Sequence, residues 1–320
     1  MAPAMTIRKN TVFGICLVMV FASCFRERRS ENAGEKMQQF VVDIANYARA
    51  QDSDFIIIPQ NGPELAFQGL DPESEFNAEY MAAVSGFGME EIFYNGEAAR
   101  DDYRLDMLRD IRSSKPVLVS EFVNTDAWID DAYTSNDAEE FLCFVRRSNN
   151  YDYLYIPDSV HHENDADVLS LQDAKNYLYL ISSDAFDTKT EMIQAIAATN
   201  FDLIIIDLFF GDEAFTSSEI ELMKTKTNGG RRLVISYMNI GSAEKYRYYW
   251  KKTWFRHHPL WIKRKYEGYD DEFWVKFWNK EWQEIIYGND ESYTKKILDA
   301  GFDGAYLDNV EAYYFLYYKD

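Results

Sequence analysis

Asp308 stands at the end of a short apolar run, GFDGAYLDNVEAY (301–313), with Asn309 beside it and tyrosines just beyond. An apolar segment that turns polar only at its C-terminal tip is how a (β/α) barrel presents reactive groups at one mouth. Seven other runs repeat the pattern: DFIIIPQNG (54–62), EEIFYNGE (90–97), KPVLVSEF (115–122), YDYLYIPDS (151–159), NYLYLISSD (176–184), FDLIIIDLFF (201–210) and RRLVISYMNIGSAE (231–244). Their tips supply Gln60 and Asn61, Asn95 and Glu97, Glu121, Asp158, Asp184, Asp207, and Tyr237 with Glu244. Eight parallel strands would bring these groups together.

Such a mouth is crowded with carboxylates and amides and nearly empty of His, Cys and Lys. Of the four histidines none sits at a tip; His161 and His162 follow the 151–159 run and read as loop residues. A tight zinc site needs imidazole or thiolate ligands, and a Ser-His-Asp arrangement has no G-x-S-x-G elbow to build on, so neither a metal nor another cofactor is expected there. A ring of carboxylates with aromatic walls suits glycoside hydrolysis. One carboxyl gives a proton to the leaving oxygen while a second stays ionised as nucleophile or base, and crowding of like charges separates their pKa values. Asn61 and Asn309, with Gln60 and Asn95, would hydrogen-bond sugar hydroxyls. Tyr237, Tyr306, Trp250 and Trp278 would pack on sugar rings.

Most of the runs are continuously apolar, so both sheet faces are expected to be covered, as in a parallel sheet with crossover helices. Helical periodicity lies between them, at 36–51, where Phe40, Ile44, Tyr47 and Ala48 share a face, and at 101–114, 137–149 and 188–200. Strands alternating with helices, and no Gly-rich phosphate loop, favour a closed (β/α)8 TIM barrel over a doubly wound sheet. A long stretch at 245–290, rich in Trp, precedes the last strand and is expected to cover the mouth as an insertion.

The 320 residues, 47% hydrophobic and 27% charged, fit one such domain. A net charge of −21 argues against nucleic acid, which needs Lys/Arg clusters, and suits a neutral or cationic substrate. Arg8 and Lys9, the apolar 12–22 and the Ala22-Ser23-Cys24 end resemble a lipoprotein export signal over 1–23, with Cys24 as the lipid-bearing residue and a membrane anchor; ordinary signal cleavage near Ala22 or Ser23, giving a secreted protein, is the alternative. Residues 24–35 are then expected to be a tether, and 36–320 a single domain. With Cys16 in the leader only Cys143 remains, so a disulfide framework is not expected.

The stretches FDLIIIDLFF, RRLVISYMNIGSAEKYRYYW, VKFWNKEWQEIIYGNDESY and GFDGAYLDNVEAY resemble glycoside hydrolase family 114. The resemblance implies a TIM barrel, the endo-α-1,4-polygalactosaminidase class of activity and an amino-sugar polysaccharide as substrate. Asp308 matches the second Asp of the family's Asp-Pro-Asp-Asn signature, with Tyr306 in place of the first. Glu244 matches the Glu of its Gly-Ser-Tyr-Glu segment. Asn95 aligns with the Asn of an Asn-Glu-Gln strand end whose Glu falls one place later, at Glu97, and Glu121 matches a Glu in the next strand. The resemblance therefore implies Asp308 as nucleophile or base, Glu97, Glu244 or Glu121 as acid, and Asp207 in support. The segment order differs from the family's: helix 36–51 and the PQNG strand come first, as a circular permutation would place them. A surface glycan-binding lipoprotein that has lost catalysis is the alternative, motivated by Tyr306 and Glu97. A metal-assisted enzyme using Asp207, Asp308 and a histidine is a weaker one.

Overall fold

The computed structural model describes residues 10–149, 151 and 153–318, with side chains from Glu27 onward. Arg8 and Lys9 lie outside the described residues, as do the side chains of 12–22 and of Cys24. The strands are β1 (Ile56–Pro59), β2 (Phe87–Ala98), β3 (Val117–Val123), β4 (Leu142–Arg146), β5 (Tyr177–Leu180), β6 (Leu203–Asp207), β7 (Phe209–Phe210), β8 (Glu213–Ala214), β9 (Leu233–Asn239), β10 (Ser242–Glu244), β11 (Ile262–Lys265), β12 (Glu272–Val275) and β13 (Gly304–Asp308). The helices are α1 (Asn10–Arg49), α2 (Ala78–Ala83), α3 (Asp102–Ile111), α4 (Ile129–Ala138), α5 (Lys189–Ala197), α6 (Ser217–Met223), α7 (Lys280–Ile286), α8 (Tyr293–Asp299) and α9 (Ala312–Phe315).

The protein is mixed α/β. One parallel sheet has the order β1-β13-β9-β6-β5 and a second the order β2-β3-β4. Every residue of β1, β5, β6 and β9 is buried, which is why these segments carry apolar side chains on both faces. The sheets meet at one seam, where Gln60 bridges Gly88 in parallel sense and the Asn61 N–H donates to the Gly88 carbonyl at 2.8 Å. Gly88 is required there: a Cβ would stand 2.0 Å from the Tyr306 hydroxyl. At the other seam no ladder joins β4 to β5 among the described residues, so the hydrogen-bonded circle of the expected TIM barrel is not closed.

Two expected elements exchange places. The 137–149 stretch, expected as a helix, holds the end of α4 and the whole of β4, because the chain breaks at Glu140 in left-handed backbone (φ 59°) and FLCFVR continues extended. The 151–159 run, expected as a strand, is irregular; Tyr151 and Tyr153 are left-handed (φ 56° and 42°), which a ladder does not allow. The strand tip expected at Asp158 is therefore an exposed loop residue. Residues 24–35, expected as a tether, lie within α1, where Ser30, Ala33 and Gly34 are buried and the Ser30 hydroxyl donates to the Tyr313 carbonyl at 3.2 Å. Between β9 and β13 the chain forms the antiparallel sheet β10-β12-β11 and helices α7 and α8. No helix among the described residues is long and apolar enough to cross a membrane.

Candidate active site

The C-terminal ends of the parallel strands open into a cleft of about 1060 Å³. Asp308 ends β13 and is half-buried in the cleft. Its Oδ2 accepts the Tyr237 hydroxyl at 2.5 Å and its Oδ1 accepts the backbone N–H of Asn309 at 2.7 Å. The ladder places Tyr306 beside Tyr237 and Asp308 beside Asn239. Burial pushes the Asp308 carboxyl up to about 7; Glu90 and Glu244 push it the same way, and the Tyr237 and Asn309 donors hold it back. A carboxyl in that range can give and regain a proton near neutrality.

Glu244, on β10, is buried beside it. Arg247 Nε donates to Glu244 Oε2 at 2.7 Å, and the Tyr246 hydroxyl donates to Oε1. The same guanidinium grips Asp207 with two parallel bonds of 2.8 and 2.7 Å. Burial alone would lower the Arg247 pKa; Asp207 and then Glu244 overcome this and hold the guanidinium well above its ordinary value. Asp207 thus acts on the site through Arg247.

Six cleft carboxylates, Glu90, Glu267, Asp270, Asp271, Glu272 and Glu311, lie outside the set that the strand tips supply, and two of them have built positions. Glu272, on β12, is directly opposite Glu244 on the antiparallel ladder and accepts the Ser242 hydroxyl at 2.9 Å. Burial, reinforced by Glu244, pushes its carboxyl up to about 8. Alternation along β12 would have found it, since Glu272 and Trp274 share a face and Phe273 takes the other. Glu90, on β2, accepts the Tyr153 hydroxyl and the Asn61 amide. It enters the cleft through a β-bulge: the β2–β3 register shifts between Glu90 and Asn95, and Glu91 is left-handed at φ 57°. Arg104 secures the bulge by donating to the Glu90 and Glu91 carbonyls, both at 2.8 Å.

The bulge also explains three expected residues that do not reach the cleft. Glu121 is fully buried behind β2, where it accepts the N–H groups of Phe93 (3.1 Å) and Tyr94 (3.0 Å) and the Asn136 amide (3.0 Å). It satisfies backbone donors that the shifted ladder leaves unpaired. Glu97 and Asn95, farther along β2, are exposed and do not line the cleft.

Gln60, Asn61, Tyr237 and Asn309 do line it. Gln60 accepts the Tyr179 hydroxyl at 2.9 Å. Asn61 and Asn309 hold left-handed backbone, φ 63° and 60°, at their strand tips, a conformation Asn tolerates better than most residues. Tyr306 lies beneath the cleft floor, fully buried, edge-on to Tyr179 at 5.4 Å, and its hydroxyl has no hydrogen-bond partner among the described residues. Trp250 and Trp278 are elsewhere. Trp250 stacks on Phe273 at 5.6 Å, on the far face of β12, and Trp278 packs on Phe277 under the Lys36 ammonium. The aromatic wall is instead Trp274, sandwiched between Tyr266 at 4.3 Å and Phe315 at 5.1 Å. Among the described residues that line the cleft, ten are carboxylates, Arg247 is the one basic side chain, and there is neither His nor Cys.

Curated relatives match part of the chain and carry no described activity. An uncharacterised protein of Methanocaldococcus jannaschii is 38% identical over 130 residues, covering 40% of this chain and 36% of the relative. Uncharacterised proteins of Thermotoga maritima and Deinococcus radiodurans are 32% and 30% identical, over 37% and 38% of this chain and 35% and 37% of their own lengths. The chain therefore spans little more than a third of the length of the relatives it matches. The model of glycoside-hydrolase family GH114 matches residues 169–320, the stretch that carries Asp207, Tyr237, Glu244, Glu272 and Asp308. Residues 169–320, just under half of the chain, are thus similar to glycoside-hydrolase family GH114.

Proposed function

We propose that the protein is a glycoside hydrolase that cleaves a cationic, amino-sugar polysaccharide, with an α-1,4-linked galactosamine polymer as the first candidate. The observation that carries this reading is the charge of the cleft: ten carboxylates face one guanidinium already paired to two of them. Protonated sugar amines would relieve that repulsion, and Trp274 and the cleft tyrosines offer faces for sugar rings.

Asp308 is assigned as the proton-carrying group and Glu244, in ion-pair contact with Arg247, as the ionised partner. This reverses the role expected for Asp308 from the resemblance, because its burial among other carboxylates favours the protonated form. The pairing of β1 with β13 brings the first and last parallel strands side by side, which supports reading the eight parallel strands as a permuted TIM-like barrel. Export on a leader, with a lipid on Cys24 as the membrane anchor, belongs to the same proposal and rests on the N-terminal sequence.

Incubation with partly deacetylated galactosamine polymer should release reducing ends, and Asp308→Asn and Glu244→Gln should each abolish the release. Full activity in both variants would remove the assignment. Binding of the polymer with no new ends from the unaltered protein would establish the glycan-binding lipoprotein instead.

A further inference from the structure

Away from the cleft, two consecutive histidines converge on one carboxylate. His161 Nε2 lies 2.9 Å from Asp137 Oδ2, and His162 Nε2 lies 3.1 Å from Asp137 Oδ1. One ligand atom from each of the three residues lies within 4.8 Å of the others. Consecutive side chains on extended backbone point to opposite sides. Here His162 takes left-handed backbone at φ 53°, and the two rings come together with centroids 3.9 Å apart. Tyr133 stacks on His161 at 4.1 Å and holds that ring in place. Asp137 sits in the last turn of the ten-residue α4, the end at which the helix dipole favours a cation.

We infer that Asp137, His161 and His162 form a binding site for a divalent transition metal of the zinc class, separate from the cleft. Two imidazoles and one carboxylate select Zn²⁺, Ni²⁺, Cu²⁺ or Co²⁺ over Mg²⁺ and Ca²⁺, which take oxygen ligands. A tetrahedral ion with ligand bonds of about 2.1 Å spaces its donor atoms at about 3.4 Å. The two Asp–His separations run to different oxygens of Asp137, so an ion on one oxygen needs a small turn of the carboxylate and of His162, whose side chain is 53% exposed, within the 4.8 Å that already encloses one donor atom of each residue.

Bound metal would join α4 to the segment between β4 and β5. In that segment the described residues form only a 3₁₀ turn at Leu171–Asp173, and long connections of this kind are uncommon without a function. Its far part is tied down by Asp202, which accepts the Asn164 amide at 2.9 Å and the Lys226 ammonium at 3.0 Å. Its near part carries Tyr151 and Tyr153 to the cleft. A metal at His161 and His162 fastens the middle, and so steadies one wall of the cleft.

The test uses the untagged full chain, titrated with ZnCl2 by calorimetry and analysed for metal after dialysis. One equivalent of Zn²⁺ should bind, with no comparable heat from Mg²⁺ or Ca²⁺. Asp137→Asn, His161→Gln and His162→Gln should each weaken Zn²⁺ binding by roughly tenfold or more, with unchanged circular dichroism. The double substitution of the other adjacent pair, His257→Gln/His258→Gln, should leave the affinity unchanged. Absence of a Zn²⁺ equivalent at micromolar concentration would overturn the site. So would equal binding of Mg²⁺, wild-type affinity in the three single variants, or loss of binding in the 257/258 variant. None of these readouts depends on glycosidase activity.

Discussion

Glu272 stands directly across from Glu244 on the antiparallel ladder of β12 and β10. Partners in such a position have Cβ atoms about 4.5–5.5 Å apart, and like charges there destabilise the pair. Burial and the Glu244 charge raise the Glu272 carboxyl from 4.5 to about 8. The folded protein therefore holds a proton that the unfolded chain releases near pH 4.5, so stability falls as pH rises from about 4.5 towards 8. Glu272→Gln removes this dependence. The variant is expected to melt at a higher temperature than wild type at pH 9, with the difference vanishing at pH 4. Parallel melting curves across that range would contradict the raised carboxyl.

Asp308 and Tyr237 give a kinetic expectation. Asp308→Asn leaves the shape of the site but removes the transferable proton, and should lower kcat by roughly 10²-fold or more with a normal circular dichroism spectrum. Tyr237→Phe deletes the hydroxyl that donates to Asp308 at 2.5 Å, one of the two donors holding the carboxyl down. In wild type the activity of a proton donor is lost as pH rises through about 7. In Tyr237→Phe that limb should move to higher pH; if activity were instead lost as pH falls through this range, and that acid limb moved up in Tyr237→Phe, Asp308 would have the opposite role.

Much of this was legible in the sequence, because strands buried on both faces must be apolar throughout, as LIIID at 203–207 and LVISYMN at 233–239 are. Their tips followed directly, and Asp207, Tyr237, Glu244 and Asp308 do line one cleft. What escaped notice lies where local backbone departs from the simple pleat. Glu90 reaches the cleft through a left-handed Glu91, and a bulge of that kind has no composition signal in EEIFYNGE. Glu272 lies on an antiparallel strand whose alternation was hidden among tryptophans. Trp250 and Trp278 were expected at the cleft on residue type alone, and their side chains pack elsewhere. Position on a face decided the outcome, and residue type did not.

Arg247 carries the electrostatic load of the cleft floor. Its guanidinium is buried between Asp207 and Glu244, and removing it would leave two carboxylates without a counter-charge. Arg247→Met should cost about 3–5 kcal/mol, read as a lower urea midpoint at pH 7. Arg247→Lys should recover only part, since an ammonium cannot reproduce the two parallel bonds to Asp207. Adding Asp207→Asn and Glu244→Gln to Arg247→Met should restore stability towards wild type, because the stranded charges go with the cation. If the triple variant were less stable than Arg247→Met, packing and not charge would be the main contribution of this arginine.

Tyr306 occupies the position at which the resemblance implies an acid, so its role separates a packed floor from a catalytic group. Its ring is enclosed by Tyr179 and the bare backbone of Gly88, and its hydroxyl finds no partner among the described residues. A buried hydroxyl without a hydrogen bond lowers stability by about 1–3 kcal/mol relative to an apolar group of the same shape. Tyr306→Phe should therefore be neutral or stabilising and should leave glycosidase activity intact. Gly88→Ala should do the reverse, because the new Cβ would stand 2.0 Å from that hydroxyl and push β2 away from β1 at the seam beneath Asn61 and Glu90. Removing the hydroxyl would not rescue it, because the Tyr306 ring carbons Cζ and Cε2 would still stand 2.4 and 2.5 Å from the new Cβ, so the double variant should melt close to Gly88→Ala. A Tyr306→Phe protein that folds normally but has lost activity would place this tyrosine in the chemistry, not under it.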